Sequence, residues 1–280
     1  MEFEPMKYNL LYLGFLLLSF ALSYGQVDRT KKPEPQPTPK LTLPTIQHAA
    51  LPNGLKVMLV EHHELPTVQI QLVFQTGTAN DPAGKAGVAN LTAQMVREGT
   101  ARRTSLQIAD DLEFIGANLN VNSSTDATFA SLLTLKEQLV AALDVYSDVL
   151  RNPSFPENEW NRVKKTHLTG LMQQKDQPVV VANNVFAGLV YGSNHPYGRP
   201  TEGTDVSVNA IALDDLKSFY RANYLPNTAT LIVVGDVTLK EVIPMVEKYF
   251  GDWKSGTVVA PTFSEVPRID STRLYLIDKP

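Results

Sequence analysis

The sequence predicts an α+β fold in which helices cover one face of an antiparallel sheet. Strand-like patterns of apolar and β-branched residues recur in three places, 55–60, 68–74 and 228–234. A polar/apolar alternation about a Ser-Ser-Thr-Asp turn predicts two more strands within 117–135. Helical periodicity fills several longer segments, and this order of strands and helical pairs is typical of α+β domains rather than of parallel β/α repeats.

The elements follow from local signals along the chain. Asn53-Gly54 sets a tight turn before the first strand, and residues 68–74 alternate so that, with the first strand, they predict a hairpin or meander. Glycines or a Thr/Ser start mark the ends of two helices, at 88–98 and 105–115. Periodic apolar residues predict further helices, at 136–150, 157–174, from about 178, 213–224 and 238–250.

Composition and charge exclude several classes of function. The chain has 280 residues, 43% of them hydrophobic and 19% charged, as in ordinary globular proteins. A formal net charge of -4 offers no basic face, so we expect no nucleic-acid partner. The absence of cysteine excludes disulfides, thiol nucleophiles and Cys-ligated metals. Any metal site would need histidines and carboxylates.

The N-terminal region predicts export. Residues 10–22 form an apolar run that is shorter than the roughly 20 residues needed to span a bilayer, and small residues follow it. We interpret 1–25 as a signal peptide, which implies a periplasmic or extracellular mature chain with no stable membrane span. A buried or anchoring N-terminal helix is the alternative interpretation.

Proline spacing and the strand pattern define the remaining boundaries. Prolines 33, 35, 37 and 39 favour an extended polyproline linker over 26–44, with a proline-recognition motif as the alternative. The α+β domain then covers 45–258. Residues 259–280 are predicted to be a linker and, from 273 to 278, the first strand of a truncated second domain.

Six motifs in a fixed order carry a resemblance to a known family. They are Leu51-Pro-Asn-Gly-Leu55, Asp81-Pro-Ala-Gly-Lys-Ala-Gly-Val88, Glu98-Gly-Thr100, Gly116-Ala-Asn-Leu-Asn120, His195-Pro-Tyr-Gly-Arg-Pro200 and Thr230-Leu-Ile-Val-Val-Gly-Asp236. The chain resembles the pitrilysin/insulinase family of zinc metallopeptidases, which includes the mitochondrial processing peptidases and their non-catalytic partner subunits. This resemblance implies the N-terminal half of a clam-shell protein.

The resemblance also implies that the zinc motif is degenerate. Active members carry H-x-x-E-H on a helix, so that two imidazoles share a zinc ion beside a carboxylate base. Between the flanking Gly87 and Gly99, the two histidines correspond to Asn90 and Gln94 and the glutamate to Ala93. The downstream carboxylate corresponds to Gly170. We therefore expect no catalytic residue, no metal and no cofactor, although zinc is present in active relatives.

The remaining histidines and serines suggest no replacement site. His62-His63-Glu64 lies in an extended segment whose neighbours point to opposite faces, so a solvent-exposed loop is favoured over a metal site. His195 is expected to pack in or to order its loop, while His48 and His167 show no pairing signal. No G-x-S-x-G motif or glycine-rich phosphate loop is present.

Without zinc, the property of the family that the resemblance still implies for this chain is peptide binding. Family members add their peptide substrate as an extra strand at a sheet edge. The corresponding residues are Asn118, Leu119, Asn120 and Val121, for which an edge or interior strand without ligand is the alternative.

Three functional hypotheses remain. The favoured one is a non-catalytic peptidase homologue that pairs with an active zinc metallopeptidase subunit, or with itself, and helps to enclose or recognise peptides. The others are an active zinc metalloendopeptidase with unrecognised ligands and a peptide-binding or scaffold module of the cell envelope.

Overall fold

A six-stranded sheet organises the part of the chain that the computed structural model describes, namely residues 44–258, 261, 263, 265, 266, 268 and 271–277. The expected signal peptide and almost all of the expected linker lie outside these residues. The strands are β1 Gln47–Ala50, β2 Lys56–Glu61, β3 Thr67–Phe74, β4 Asn118–Ser123, β5 Thr128–Leu135 and β6 Ala229–Gly235. Their spatial order is β1-β2-β6-β3-β5-β4.

Antiparallel pairing dominates the sheet, with one exception. β2 and β6 pair in parallel, with Val57 opposite Leu231 and Leu59 opposite Val233. The predicted hairpin or meander of β2 and β3 is therefore wrong, because β6 lies between them. The predicted Asn53-Gly54 turn before β2 is confirmed, and it joins β2 to β1, a strand that the sequence pattern did not predict. The predicted β4–β5 hairpin is confirmed, with Leu119 opposite Leu132.

The helices bury one face of this sheet, as predicted. They are α1 Val88–Met95, α2 Ser105–Phe114, α3 Leu139–Arg151, α4 Glu157–Gln174, α5 Pro178–Tyr191, α6 Asp205–Ala210, α7 Leu213–Asn223 and α8 Leu239–Phe250. Alternate strand residues such as Leu59, Leu72 and Leu132 are fully buried, whereas Leu133 and Leu135 remain 46% and 41% exposed on the opposite face. Helical cover is therefore one-sided.

Residues 271–277 are the longest described part of the segment that the sequence assigns to a linker and the start of a second domain. Residues 271–277 contain neither helix nor strand. Leu274 and Leu276 are 87% and 90% exposed there. A strand needs a neighbour for its backbone hydrogen bonds, and the described residues supply none to this segment. Among all the residues that the structure describes, no helix is both long enough and apolar enough to cross a bilayer.

Tyr146 fastens α3 to the middle of the sheet. Its ring is fully buried, its hydroxyl donates to the carbonyl oxygen of Ala130 at 2.8 Å, and it accepts from the backbone nitrogen of Leu72 at 3.1 Å. Complete burial raises the pKa of this phenol. The hydroxyl therefore stays protonated and links β3, β5 and α3.

We expect Tyr146→Phe to lower the free energy of unfolding by about 1–3 kcal/mol, because two buried hydrogen bonds are lost. Urea denaturation measures this loss. The control is Tyr249→Phe, which removes a solvent-exposed hydroxyl bonded to the carbonyl oxygen of Val140. Equal stability of the two variants would contradict the role assigned to Tyr146.

His63 joins the ends of the parallel strands β2 and β6. Its Nδ1 lies 2.6 Å from Asp236 Oδ1, and its Nε2 lies 3.2 Å from Glu61 Oε2. The hydrogen bonds to Asp236 and then to Glu61 raise the pKa of His63 above its ordinary value of 6.5. Protonated His63 therefore stabilises the fold fully below pH 6.5, and this contribution is lost as the pH rises through the raised pKa.

We expect His63→Gln to weaken the pH dependence of stability on the alkaline side of neutrality. Urea midpoints at pH 6 and pH 9 measure the effect, with His62→Gln as the control, since His62 lies 3.9 Å from Glu64 and does not contact Asp236. An NMR titration of His63 should give a pKa above the value of the unfolded chain. A lower pKa would contradict the assignment.

Candidate functional site

A buried carboxylate positions the helix that carries the degenerate motif. The side chain of Asp81 accepts hydrogen bonds from the backbone nitrogens of Gly87 at 2.7 Å and Ala89 at 2.8 Å. These N–H groups lie at the N-terminus of α1 and have no acceptor within the helix. Negative charge is favourable at this end of a helix. Burial raises the pKa of Asp81 to about 7, against the lowering effect of those donors and of Arg199.

Two glycines bring a distant loop against the start of α1. Gly87 has φ 102°, and a Cβ there would lie 2.9 Å from the carbonyl oxygen of Glu202. Gly203 has φ 75°, and a Cβ there would lie 2.2 Å from the carbonyl oxygen of Ala86. Residues other than glycine rarely adopt these backbone conformations, and the space beside each glycine is too small for a Cβ. Glu202 is thereby held beside α1.

Asn90 and Gln94 form a hydrogen-bonded network with Glu202 and with His167 of α4. Gln94 Nε2 donates to Asn90 Oδ1 at 2.6 Å, one helical turn away. Asn90 Nδ2 donates to Glu202 Oε1 at 2.8 Å. On the other side, Gln94 Nε2 lies 3.3 Å from His167 Nδ1. The network thus joins α1, α4 and the 200–204 loop.

The partners of His167 determine its neutral tautomer. Its Nε2 lies 2.8 Å from the backbone oxygen of Glu202, which can only accept, so Nε2 carries the hydrogen. Nδ1 is then the acceptor that faces Gln94, while Glu202 Oε2 lies 3.7 Å away. His167 is buried, and both of its ring nitrogens have partners within the protein.

These residues do not fit a zinc ion. Amide oxygens are neutral, hard donors, whereas zinc prefers imidazole, thiolate and carboxylate ligands. Only His167 and Glu202 are of the preferred types. No group of three or more histidines and carboxylates that could hold a metal ion occurs among the residues that the structure describes. Ala93, which stands where the catalytic glutamate is expected, is buried and carries only a methyl group.

Sequence reasoning missed Glu202 as a member of this site and predicted no partner for His167, which has two. Sequence reasoning placed the downstream ligand position at Gly170, but it is His167 that contacts Gln94. A Cβ built on Gly170 would meet no atom within 4 Å. One signal was available: His167 continues the buried helical face of Trp160, Val163 and Leu171. A histidine at such a position needs a polar partner.

The other sequence-predicted histidines lie away from this network. His63 is held between two carboxylates at the end of the sheet, and His62 is largely exposed. His195 is buried, as expected, with its Nδ1 accepting from the backbone nitrogen of Tyr197 at 3.1 Å. Its ring stacks on Tyr191 at 5.3 Å between centroids. His195 therefore orders the loop after α5.

β4, which contains the proposed peptide-binding residues Asn118, Leu119, Asn120 and Val121, lies at one edge of the sheet. Ser124 N donates a hydrogen bond to Ala127 O across the turn between β4 and β5. In an antiparallel pair, residues whose N–H and C=O groups bond to the partner strand alternate with residues whose groups point away from it, so every second residue of β4, counted back from Ser124, bonds to β5. Leu119 and Val121 therefore direct their backbone groups toward the free edge. The side chains of Asn118 and Asn120 are exposed, whereas those of Leu119 and Val121 are buried.

Arg97, just beyond α1, borders the free edge of β4. Its Nη1 lies 3.5 Å from the carbonyl oxygen of Leu119, and its Nε is buried without a hydrogen-bond partner. A cavity of about 450 Å³ opens here between α2, α4 and β4, with Leu106, Leu112 and Leu119 among its lining residues. An extended chain added to β4 would run past this cavity.

Similar proteins share both the sequence pattern and the architecture. The chain is 28% identical over 211 residues, 75% of its length, to an Arabidopsis thaliana protein described as a probable mitochondrial-processing peptidase subunit beta. It is 29% identical over 203 residues, 72% of its length, to the Helicobacter pylori protein called non-peptidase homolog YmxG. It spans 39% and 46% of these relatives, less than half of each.

Solved structures agree in fold. A peptidase M16 inactive domain from Pseudomonas fluorescens matches with a TM-score of 0.74 and 28% identity, over 80% of this chain and 54% of that one. A Helicobacter pylori protease matches in fold with a TM-score of 0.75 and 22% identity, over 80% of this chain and 55% of that one.

Two family models match consecutive parts of the sequence. The model described as insulinase (peptidase family M16) matches residues 56–205, which include both the degenerate motif and the 200–204 loop. The model described as peptidase M16 inactive domain matches residues 210–279. The first match alone covers more than half of the chain, and the fold agrees with it. The chain belongs to the insulinase family, peptidase family M16.

Proposed function

We propose that this chain is a non-catalytic subunit that pairs with a zinc-bearing member of its family and helps to hold peptide substrates. The observation that carries the proposal is the network of Asn90, Gln94, His167 and Glu202. Its amides stand where an active enzyme needs imidazoles, and Ala93 cannot accept a proton from water. Membership of a peptidase family and the absence of these groups together favour a supporting role.

Peptide recognition would use the free edge of β4. The outward N–H groups of Leu119 and Val121 and the outward C=O of Val121 can pair with an extended chain, which is recognition through the backbone, whereas the C=O of Leu119 already faces Arg97 Nη1 at 3.5 Å. Such pairing requires no metal. The adjoining cavity near Arg97 would accept one side chain of that peptide.

Pairing with a catalytic subunit would supply the chemistry that this chain lacks. Support comes from the relative called a non-peptidase homolog and from the relative described as a peptidase subunit. An exported location, periplasmic or extracellular, remains part of the proposal on the strength of residues 1–25.

An active zinc peptidase is the competing function, because a Bacillus subtilis relative that is 26% identical is described as an uncharacterized zinc protease. That function would require ligands outside the network described above. A zinc titration separates the two hypotheses.

We expect the wild-type chain to show no stoichiometric tight binding of Zn²⁺ by isothermal titration calorimetry. The double variant Asn90→His/Gln94→His should gain it, by at least about a hundredfold in affinity, because two new imidazoles would join His167 and Glu202. Peptide cleavage should not return, since Ala93 still provides no base.

The matched control adds His167→Ala to the double variant and should lose most of the gained affinity. Tight Zn²⁺ binding by the wild-type chain, together with chelator-sensitive peptide cleavage, would overturn the proposal in favour of an active enzyme.

Hydrogen exchange tests the edge strand residue by residue. We expect the amides of Leu119 and Val121 to exchange more slowly by at least about tenfold when unfolded β-casein is added as an extended-chain probe. Those of Asn118 and Asn120 already face β5 and should change little, so they serve as internal controls. Uniform slowing along β4, or none, would contradict strand addition at this edge.

A further inference from the structure

Arg97 is a cation without a counter-ion beside the edge of β4. Its Nη1 donates a long hydrogen bond, 3.5 Å, to the carbonyl oxygen of Leu119, and its Nε is buried without a hydrogen-bond partner. Among the described residues, no carboxylate forms an ion pair with Arg97. A buried donor without an acceptor is costly, so this guanidinium has unused capacity to bind an anion.

The two carboxylates that line the cavity next to Arg97 bind another arginine. Glu98 and Glu159 both belong to the wall of this cavity of about 450 Å³. Arg162 Nε donates to Glu159 Oε2 at 2.8 Å, and Arg162 Nη2 donates to Glu98 Oε2. Neither carboxylate lies within ion-pair distance of Arg97. The acceptor that Arg97 lacks must therefore come from a bound molecule.

The outward backbone groups of β4 become unavailable at the same point. Val121 offers both an N–H and a C=O, whereas Leu119 offers only its N–H, because Arg97 already faces its C=O. Just before β4, the backbone nitrogen of Ala117 donates to the carbonyl oxygen of Leu112 at 2.9 Å. An added strand can therefore pair fully at Val121 but not at Leu119 or before it.

A chain that continued past this point would place a donor against a donor. In an added antiparallel strand, the residue opposite Leu119 directs its N–H at the carbonyl oxygen of Leu119, where the Arg97 guanidinium lies. This conflict applies to any chain that crosses the edge, including further chain of the same protein. A chain that ends there brings an acceptor instead, because a terminal carboxylate replaces the next peptide group. Arg97 and the N–H of Leu119 can both donate to it.

We propose that the edge of β4 binds the C-terminal end of an extended peptide, whose terminal carboxylate is held by Arg97 and by the N–H of Leu119. This inference rests on the proposed peptide binding and specifies which part of a peptide is recognised. The charge of Arg97 also sets the direction of the peptide. The opposite orientation would bring an N-terminal ammonium group against the guanidinium, which is repulsive. The bound peptide therefore runs antiparallel to β4.

The apolar part of the cavity wall strengthens this contact. Leu106, Ile108 and Leu112 line the cavity together with Leu119. A guanidinium and a carboxylate attract each other more strongly where apolar groups exclude part of the water, and their hydrogen bonds can be bidentate. A peptide that ends in an amide would keep its backbone bonds at Val121 but lose the charge-assisted contact with Arg97.

The test measures binding of the full chain to a synthetic peptide, Ser-Thr-Val-Ser-Thr-Val, that carries a fluorophore at its N-terminus. Fluorescence anisotropy compares the free acid of this peptide with its C-terminal amide. We expect amidation to weaken the affinity of the wild-type chain by at least about tenfold, because hydrogen bonds to a charged group are lost. Added salt should weaken binding of the free acid more than binding of the amide.

A variant assigns the effect to Arg97. Arg97→Gln should bind the free acid and the amide equally, with the affinity that the wild-type chain has for the amide. The matched control is Arg221→Gln, which removes the same charge from an exposed position of α7, where the guanidinium contacts Ser218. This control should keep the full preference for the free acid. Equal urea midpoints show that the two variants fold alike.

Three other results would overturn the inference. If the wild-type chain binds the acid and the amide equally well, recognition of the carboxylate is wrong and strand addition at β4 stands. If it binds neither peptide, peptide binding at this edge is overturned together with the inference. A third peptide, amidated and with Asp as its last residue, separates the two sources of a carboxylate. If it binds as tightly as the free acid, Arg97 recognises acidic side chains rather than a chain end.

Discussion

The close contact between two backbone segments, around Gly87 and Gly203, is the constraint on which the candidate site depends. Each glycine has a positive φ, and each faces a carbonyl oxygen of the opposite segment too closely for a Cβ. This contact joins the start of α1 to a loop more than a hundred positions later in the sequence. Without it, Glu202 could not reach Asn90, and His167 would lose its carbonyl acceptor.

The network also explains how the fold accommodates a degenerate motif. A buried polar group without a hydrogen-bond partner costs roughly 1–3 kcal/mol. Apolar residues at positions 90 and 94 would have left Nδ1 of the buried His167 in that state. Asn90 and Gln94 can each donate and accept, so they satisfy both neighbours and one another. In this site, structural hydrogen bonds occupy the positions expected to bind metal.

Local patterns predicted much of the fold. The β4–β5 hairpin and the helices α3 and α4 follow from alternation, periodicity and proline breaks, which act over short distances. The insertion of β6 between β2 and β3 could not be predicted in this way, because strand order depends on contacts between remote segments. The contacts of His167 with Gln94 and Glu202 could not be predicted either, because they also join segments that are remote in the sequence. The degenerate positions themselves came from the family resemblance, not from spacing alone.

Residues 177–198, which contain α5, include no Asp, Glu, Lys or Arg. Proteins commonly flank exposed apolar segments with charged residues or prolines, which act as gatekeepers against aggregation. Here Pro178 begins the helix and Pro196 follows it, but the nearest fixed charges lie outside both. The net charge of -4 resides elsewhere on the molecule. The colloidal stability of the chain therefore depends on charges outside residues 177–198 and not on α5 itself.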